Sequence, residues 1–267
     1  MSAVKTTRFG PPCWRTVESL MVLYDQLPQE AVDRTAFVRW WEQFPSRLPC
    51  VYCRISAREF LWGTLGHRRS RHLDPRYASL KKSSAAAQTL AFTLHQRVNH
   101  KLDHQDGGTD RKDSAPANLL EAVRQGRFQP WQTQDFLVHF FLMLWTLCQD
   151  VGPAREHHRR ASTPNQLRQF LDLTVTLLSW EPSLDQDRST PWATVVFAWR
   201  RHVKPAWPDN AEEDAAEACS RAVHRWYQVV WRTGRQHYED WGEPWGWQET
   251  WQWCLDSRVG GGDCVKT

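Results

Sequence analysis

Tryptophan occurs 17 times in 267 residues, and 13 of those positions fall after residue 130. Each indole needs a large apolar neighbourhood and, once buried, a partner for its N–H. A chain so supplied must build a thick core or present aromatic surface at an interface. With 41% hydrophobic and 24% charged residues it has the material for one large core or two small ones, which excludes a disordered tail or a mini-scaffold.

The spacing of the aromatic and apolar residues selects the secondary structure. Trp14, Val17, Met21 and Tyr24 recur at three- and four-residue steps, as do Phe37, Trp40, Trp41, Phe44 and Leu48 after Pro28. Each set makes one helical stripe. Pro49 stops the second helix, and Cys50 to Cys53 open a third that runs through Phe60 and Leu61 to Gly63. A basic loop, residues 67–72, leads past Pro75 to a fourth helix from about Ser83 to Leu102, with Leu90, Leu94, Val98 and Leu102 as its buried stripe. Residues 105–116, with Gly107, Gly108 and three aspartates, read as a linker.

Beyond it Phe136 to Leu147, with His139 inside, predicts a core helix too short to span a bilayer. Helix starts are expected at Thr163 before Pro164, at Thr190 before Pro191, and at Asn210 with Glu213 as a capping box. Strand alternation, an internal repeat and a phosphate-binding glycine loop are all missing from the sequence. The expected fold is therefore all-α in two domains, residues 1–105 and 117–267, joined by the linker 106–116.

Charge divides along the same line. Residues 1–105 carry sixteen Lys and Arg against eight Asp and Glu, and the remainder eighteen against twenty-two. No stretch of 18 apolar residues and no secretory leader is evident, so neither a membrane partner nor export is expected.

Of the seven cysteines only Cys50 and Cys53 lie close together. A C-x-x-C pair at a helix start puts its first sulfur beside unpaired backbone N–H groups and the positive end of the helix dipole, which favours thiolate. Such a pair exchanges disulfides readily. His95 and Asn99, four residues apart, share a helix face on which a flat, polar-edged ligand can be held.

These residues together resemble the Erv/ALR family of flavin-dependent sulfhydryl oxidases. Gly10-Pro-Pro-Cys-Trp14 is similar to its G-x-x-x-W opening, and Tyr24 falls where the family has a tyrosine. Leu48-Pro49-Cys50-Val-Tyr-Cys53-Arg54 resembles the redox motif, and the stretch from His95 through Val98 and Asn99 to Leu102 resembles the H-N-x-V-N-x-x-L motif that grips FAD. The resemblance spans about 100 residues.

It implies a four-helix bundle around FAD, with Cys53 as the flavin-proximal sulfur, Cys50 as the outer sulfur that exchanges with reduced protein thiols, and oxygen as the acceptor that leaves as hydrogen peroxide. Trp14, Tyr24, His95, Asn99 and Lys101 join Cys53 as implied cofactor contacts. It further implies a homodimer working in a cytoplasm, that of a host cell or a virion if the source is a large DNA virus, or else in the mitochondrial intermembrane space.

The sequence also departs from the family pattern. Glu18 stands where the family has histidine, Leu90 and Phe92 where it has tryptophan and cysteine, and Asp103-His104 where it has Gly-Lys. Phosphate contacts must then come from elsewhere, with Arg97, Lys101 and Arg68 to Arg71 as candidates. Family members relay electrons through a second cysteine pair on a mobile segment, for which the glycine-rich tail between Cys254 and Cys264 is the candidate shuttle. A Cys148–Cys219 bridge and a role for Cys13 beside Trp14 are the alternatives.

Two other readings compete. Cys50, Cys53, His67 and His72 have the spacing of a Cys2His2 zinc site, with nearby arginines suited to nucleic acid. A classical finger, however, needs an aromatic residue where Ala57 stands and a leucine where Gly63 stands, so no metal or nucleic acid is expected. A non-catalytic interaction protein on an oxidase scaffold is the other reading. The Trp-rich stretch Trp226 to Trp253 admits three uses, a core, a substrate groove or a dimer face, and a degenerate second oxidase domain by analogy alone.

Overall fold

The computed structural model describes residues 6–26, 34–62, 90–91, 93–98, 134–152, 162–179, 191–208 and 214–257. Among them the chain is helical, with no strand and a single isolated bridge between Val151 and Ser162. The helices are α1 (Thr6–Gln26), α2 (Arg34–Arg47), α3 (Val51–Trp62), α4 (Gln134–Cys148), α5 (Pro164–Leu178), α6 (Pro191–Ala198), α7 (Ala215–His237) and α8 (Trp247–Ser257). Residues 90–91 and 93–98 are helical as well, and a π-helical turn, Trp199–Val203, continues α6.

The stripes read from the sequence are the buried faces. Val17, Met21 and Tyr24 on α1, and Phe37, Trp40, Trp41 and Phe44 on α2, are all buried. Helix α1 differs from expectation by starting at Thr6 and running through Pro11 and Pro12. These prolines lie in the second turn, where each removes one intrahelical N–H bond, and the Pro12 carbonyl accepts the Thr16 hydroxyl at 2.9 Å. Helix α2 ends two residues before Pro49, as the bias against αR before proline requires. Helix α5 begins with the capping box of Thr163 and Gln166, with Pro164 in its first turn. Helix α7 begins at Ala215, later than the start expected at Asn210. Its cap, Asp214, sits in the left-handed region at φ 57° and makes no side-chain capping bond, a conformation aspartate tolerates better than most residues. Asn210, Glu213, Thr190 and the linker 105–116 lie outside the described residues.

Helix α1 packs on α4 and α5, α2 on α5 and α3, and α7 on α6, α4 and α8. Helices from before and after the linker therefore share one hydrophobic cluster. Polar bonds cross the same seam: the Trp40 indole N–H donates to Thr174 Oγ1 at 2.9 Å, and Arg47 Nη1 donates to Ser162 Oγ at 3.3 Å.

The tryptophans mostly go inward. Trp145, Trp199, Trp207, Trp226, Trp231 and Trp241 are buried, and several indole N–H groups reach named acceptors. Trp199 donates to Asp172, Trp207 to the Pro164 carbonyl, Trp226 to the Val195 carbonyl and Trp231 to the Gly242 carbonyl. Of the three uses open to the Trp-rich stretch, core accounts for Trp226, Trp231 and Trp241. No helix among the described residues is long and apolar enough to cross a membrane.

Candidate functional site

Helix α3 is entered through Leu48-Pro49-Cys50, and Cys50 stands at its cap position. The Cys53 N–H donates to Cys50 Sγ at 3.3 Å, and the Arg54 N–H donates to the Cys50 carbonyl at 2.9 Å. Cys50 sulfur thus occupies the place of a capping oxygen, where backbone dipoles favour negative charge. Cys50 is 2% exposed while Cys53 is half-buried, the reverse of the order implied for an outer and an inner sulfur.

Arg54 follows the dithiol and is tied down twice. Its Nη1 donates to the Leu48 carbonyl at 2.8 Å and to Asp150 Oδ2 at 2.6 Å. Asp150 lies in the turn after α4, 96 residues away in sequence, and both side chains of this ion pair are largely buried.

A second cluster gathers around α1. Trp14 stacks on His95 with ring centroids 4.3 Å apart and an interplanar angle of 12°. Glu18, one turn along α1, places Oε1 2.7 Å from His95 Nδ1, and both groups are buried. A carboxylate on Nδ1 favours a proton on that nitrogen. Tyr24, expected on the cofactor, packs face to face on Phe37 at 3.6 Å, which closes that face to a flat ligand. Arg97 is exposed. Asn99, Lys101, Arg68 to Arg71 and Cys264 lie outside the described residues.

Cys13, Cys148, Cys219 and Cys254 are interior. Burial pushes the Cys13 thiol up to about 12, so at neutral pH it stays protonated and is a poor nucleophile. Cys148 is raised by burial and then by the neighbouring Cys219 and Cys254, and Cys219 is raised by burial. Cys254, expected on a mobile tail, is fully buried within α8, and α4, α7 and α8, which carry these three thiols, pack on one another. Of the ligands in the zinc reading, His67 and His72 lie outside the described residues, among which no group of three His, Cys, Asp or Glu is arranged to hold a metal ion.

Sequence reasoning noted Glu18 only as a departure and missed Asp150 altogether. The four-residue step from Trp14 to Glu18 was a usable signal, since it puts both on one helix face. For Asp150 no local signal exists, because its partner comes from another helix. Comparison of the chain with family models, with curated proteins and with solved structures gives no match.

Proposed function

We propose that the protein is an FAD-dependent thiol oxidase whose redox-active pair is Cys50 and Cys53. The observation that carries this reading is the dithiol at the start of α3, with Cys50 Sγ accepting the Cys53 N–H. A substrate thiolate attacks one sulfur of the oxidised pair and displaces the other as thiolate. A second substrate thiol then completes the substrate disulfide and leaves the pair reduced. The helix N-terminus stabilises the charge on Cys50 when that sulfur departs.

In this reading Trp14 and His95, each with one ring face taken by the other, would meet a flat heteroaromatic cofactor through an edge or the opposite face, as would Tyr24 beside Phe37. When bound, FAD supplies the two-electron acceptor between the dithiol and oxygen, so that two thiols and one oxygen molecule give one disulfide and hydrogen peroxide. In this reading α1 to α3 and the helical segment 90–98 form the cofactor bundle. The chain acts as a homodimer on reduced proteins in a cytoplasm, as a large DNA virus would require.

A visible spectrum of the purified protein tests the proposal. Flavin bands near one per chain are expected, and Cys50→Ser and Cys53→Ser should each abolish dithiol-dependent oxygen uptake while keeping the flavin. The variant that traps a mixed disulfide with substrate identifies the exchanging sulfur. A colourless wild-type protein, or full oxygen uptake in either variant, would sink the assignment.

A second reading, a non-catalytic helical protein in which Cys50 serves only as a buried cap, is favoured by the 2% exposure of Cys50. It expects no flavin and no oxygen uptake.

A further inference from the structure

The C-terminal half reaches the dithiol segment through Asp150. Arg54 directly follows Cys53, and its N–H closes the first turn of α3 on the Cys50 carbonyl at 2.9 Å. Arg47 stands three residues before Cys50, and the Arg54 guanidinium is the cation nearest in sequence to Cys53. It is held between the Leu48 carbonyl, in the segment that leads into the dithiol, and the carboxylate of Asp150 from the turn after α4. The ion pair is 2.6 Å long, with Arg54 13% and Asp150 5% exposed, so water screens it little.

We propose that Asp150 is a positioning residue of the dithiol site, contributed by the C-terminal half, which anchors Arg54 against the Leu48 carbonyl and neutralises its charge beside Cys50 and Cys53. The inference rests on the dithiol being the reactive centre. Its physical content is a balance of charge. A paired Arg54 leaves the thiolate to be stabilised mainly by the start of α3, while an unpaired Arg54 adds a cation and an unpaired Asp150 adds an anion.

Among the described residues, Arg47 at the end of α2 and Arg58 on α3 are further cations at this corner. Burial and the cation of Arg58 hold Arg47 down to about 10, and Arg58 Nη2 donates to Ser46 Oγ at 2.9 Å. Cys148, two residues before Asp150, is kept protonated by burial, so it brings no charge.

The test is the pH dependence of iodoacetamide alkylation at Cys50 and Cys53, read by mass spectrometry on the reduced full-length chain. Asp150→Asn keeps an acceptor for Arg54 but removes the negative charge, and the alkylation midpoint should fall by about one pH unit. Arg54→Met takes the guanidinium from the Asp150 carboxylate and leaves the negative charge, and the midpoint should rise. The double variant should return close to wild type. A packing role alone would lower melting temperature in both single variants without moving the two midpoints in opposite directions.

Midpoints that stay put, or that move the same way in both variants, would overturn the proposal. Should Asp150→Asn not fold, Arg54→Met decides by itself: a raised midpoint supports the pairing and an unchanged one refutes it. The measurement needs neither flavin nor oxygen, so a colourless protein would refute the oxidase reading and leave this result to be judged on its own.

Discussion

His224 shows how strongly the aromatic packing acts on a single residue. It lies on α7 with the rings of Trp145, Tyr227 and Trp247 around it, and its Nδ1 pairs with Thr250 Oγ1 at 3.1 Å. Burial first, and the Arg221 cation second, bring its pKa down from 6.5 to about 4. In the unfolded chain the imidazole takes up a proton as pH falls below 6.5, while in the folded protein it resists until about 4. The associated stability is thus complete above pH 6.5, is lost progressively as pH falls to about 4, and changes no further below. A shift of this size corresponds to about 3 kcal/mol. Urea unfolding of wild type and His224→Gln between pH 7 and 4 checks this, and a wild-type curve no steeper than the variant's would contradict it.

At the scale of single elements, α5 depends on its start. The Thr163 hydroxyl accepts the Gln166 N–H at 3.3 Å, and Gln166 Oε1 accepts the Thr163 N–H at 3.0 Å, so two orphan donors are satisfied reciprocally. The position also matters to packing, because α5 carries Phe170, Thr174 and Asp172, which meet Trp40 of α2 and, at the two ends of the π-helical turn, Trp199 and Lys204. Thr163→Ala is expected to cost about 1 kcal/mol. Thr163→Ser should recover most of that loss in the urea midpoint; equal losses in both variants would assign the effect to the threonine methyl instead of the cap.

For the whole molecule the decisive feature is the seam between α1 to α3 and the helices after residue 130. Helix α1 packs on α4, Trp40 donates to Thr174, and Arg54 pairs with Asp150. A fragment of residues 1–116 would keep the dithiol and the Trp14 stripe but lose each of those partners, leaving apolar helix faces bare, the Trp40 N–H without Thr174 and Arg54 without its counter-charge. The fragment should show weak cooperativity and bind a hydrophobic dye, while the full chain unfolds in one sharp step. A fragment that melts sharply at the full chain's temperature would show that the seam contributes little.

The sequence by itself determined the helical class, since stripes at three- and four-residue steps have no other regular home. It also located the start of α3 at the dithiol and the cap of α5, because those depend on neighbours within four residues. Its extrapolations beyond that range fared differently. Helix α1 runs through Pro11 and Pro12, α7 begins after an αL aspartate, and Tyr24 spends its ring on Phe37. The burial of Cys254 in α8 and the pairing of Glu18 with His95 and of Asp150 with Arg54 were likewise decided by tertiary structure. The reason is physical: helix periodicity and capping are local, whereas the partner of a buried charge or ring is whichever group the packing of distant helices brings to it, and that information is not carried by any one segment.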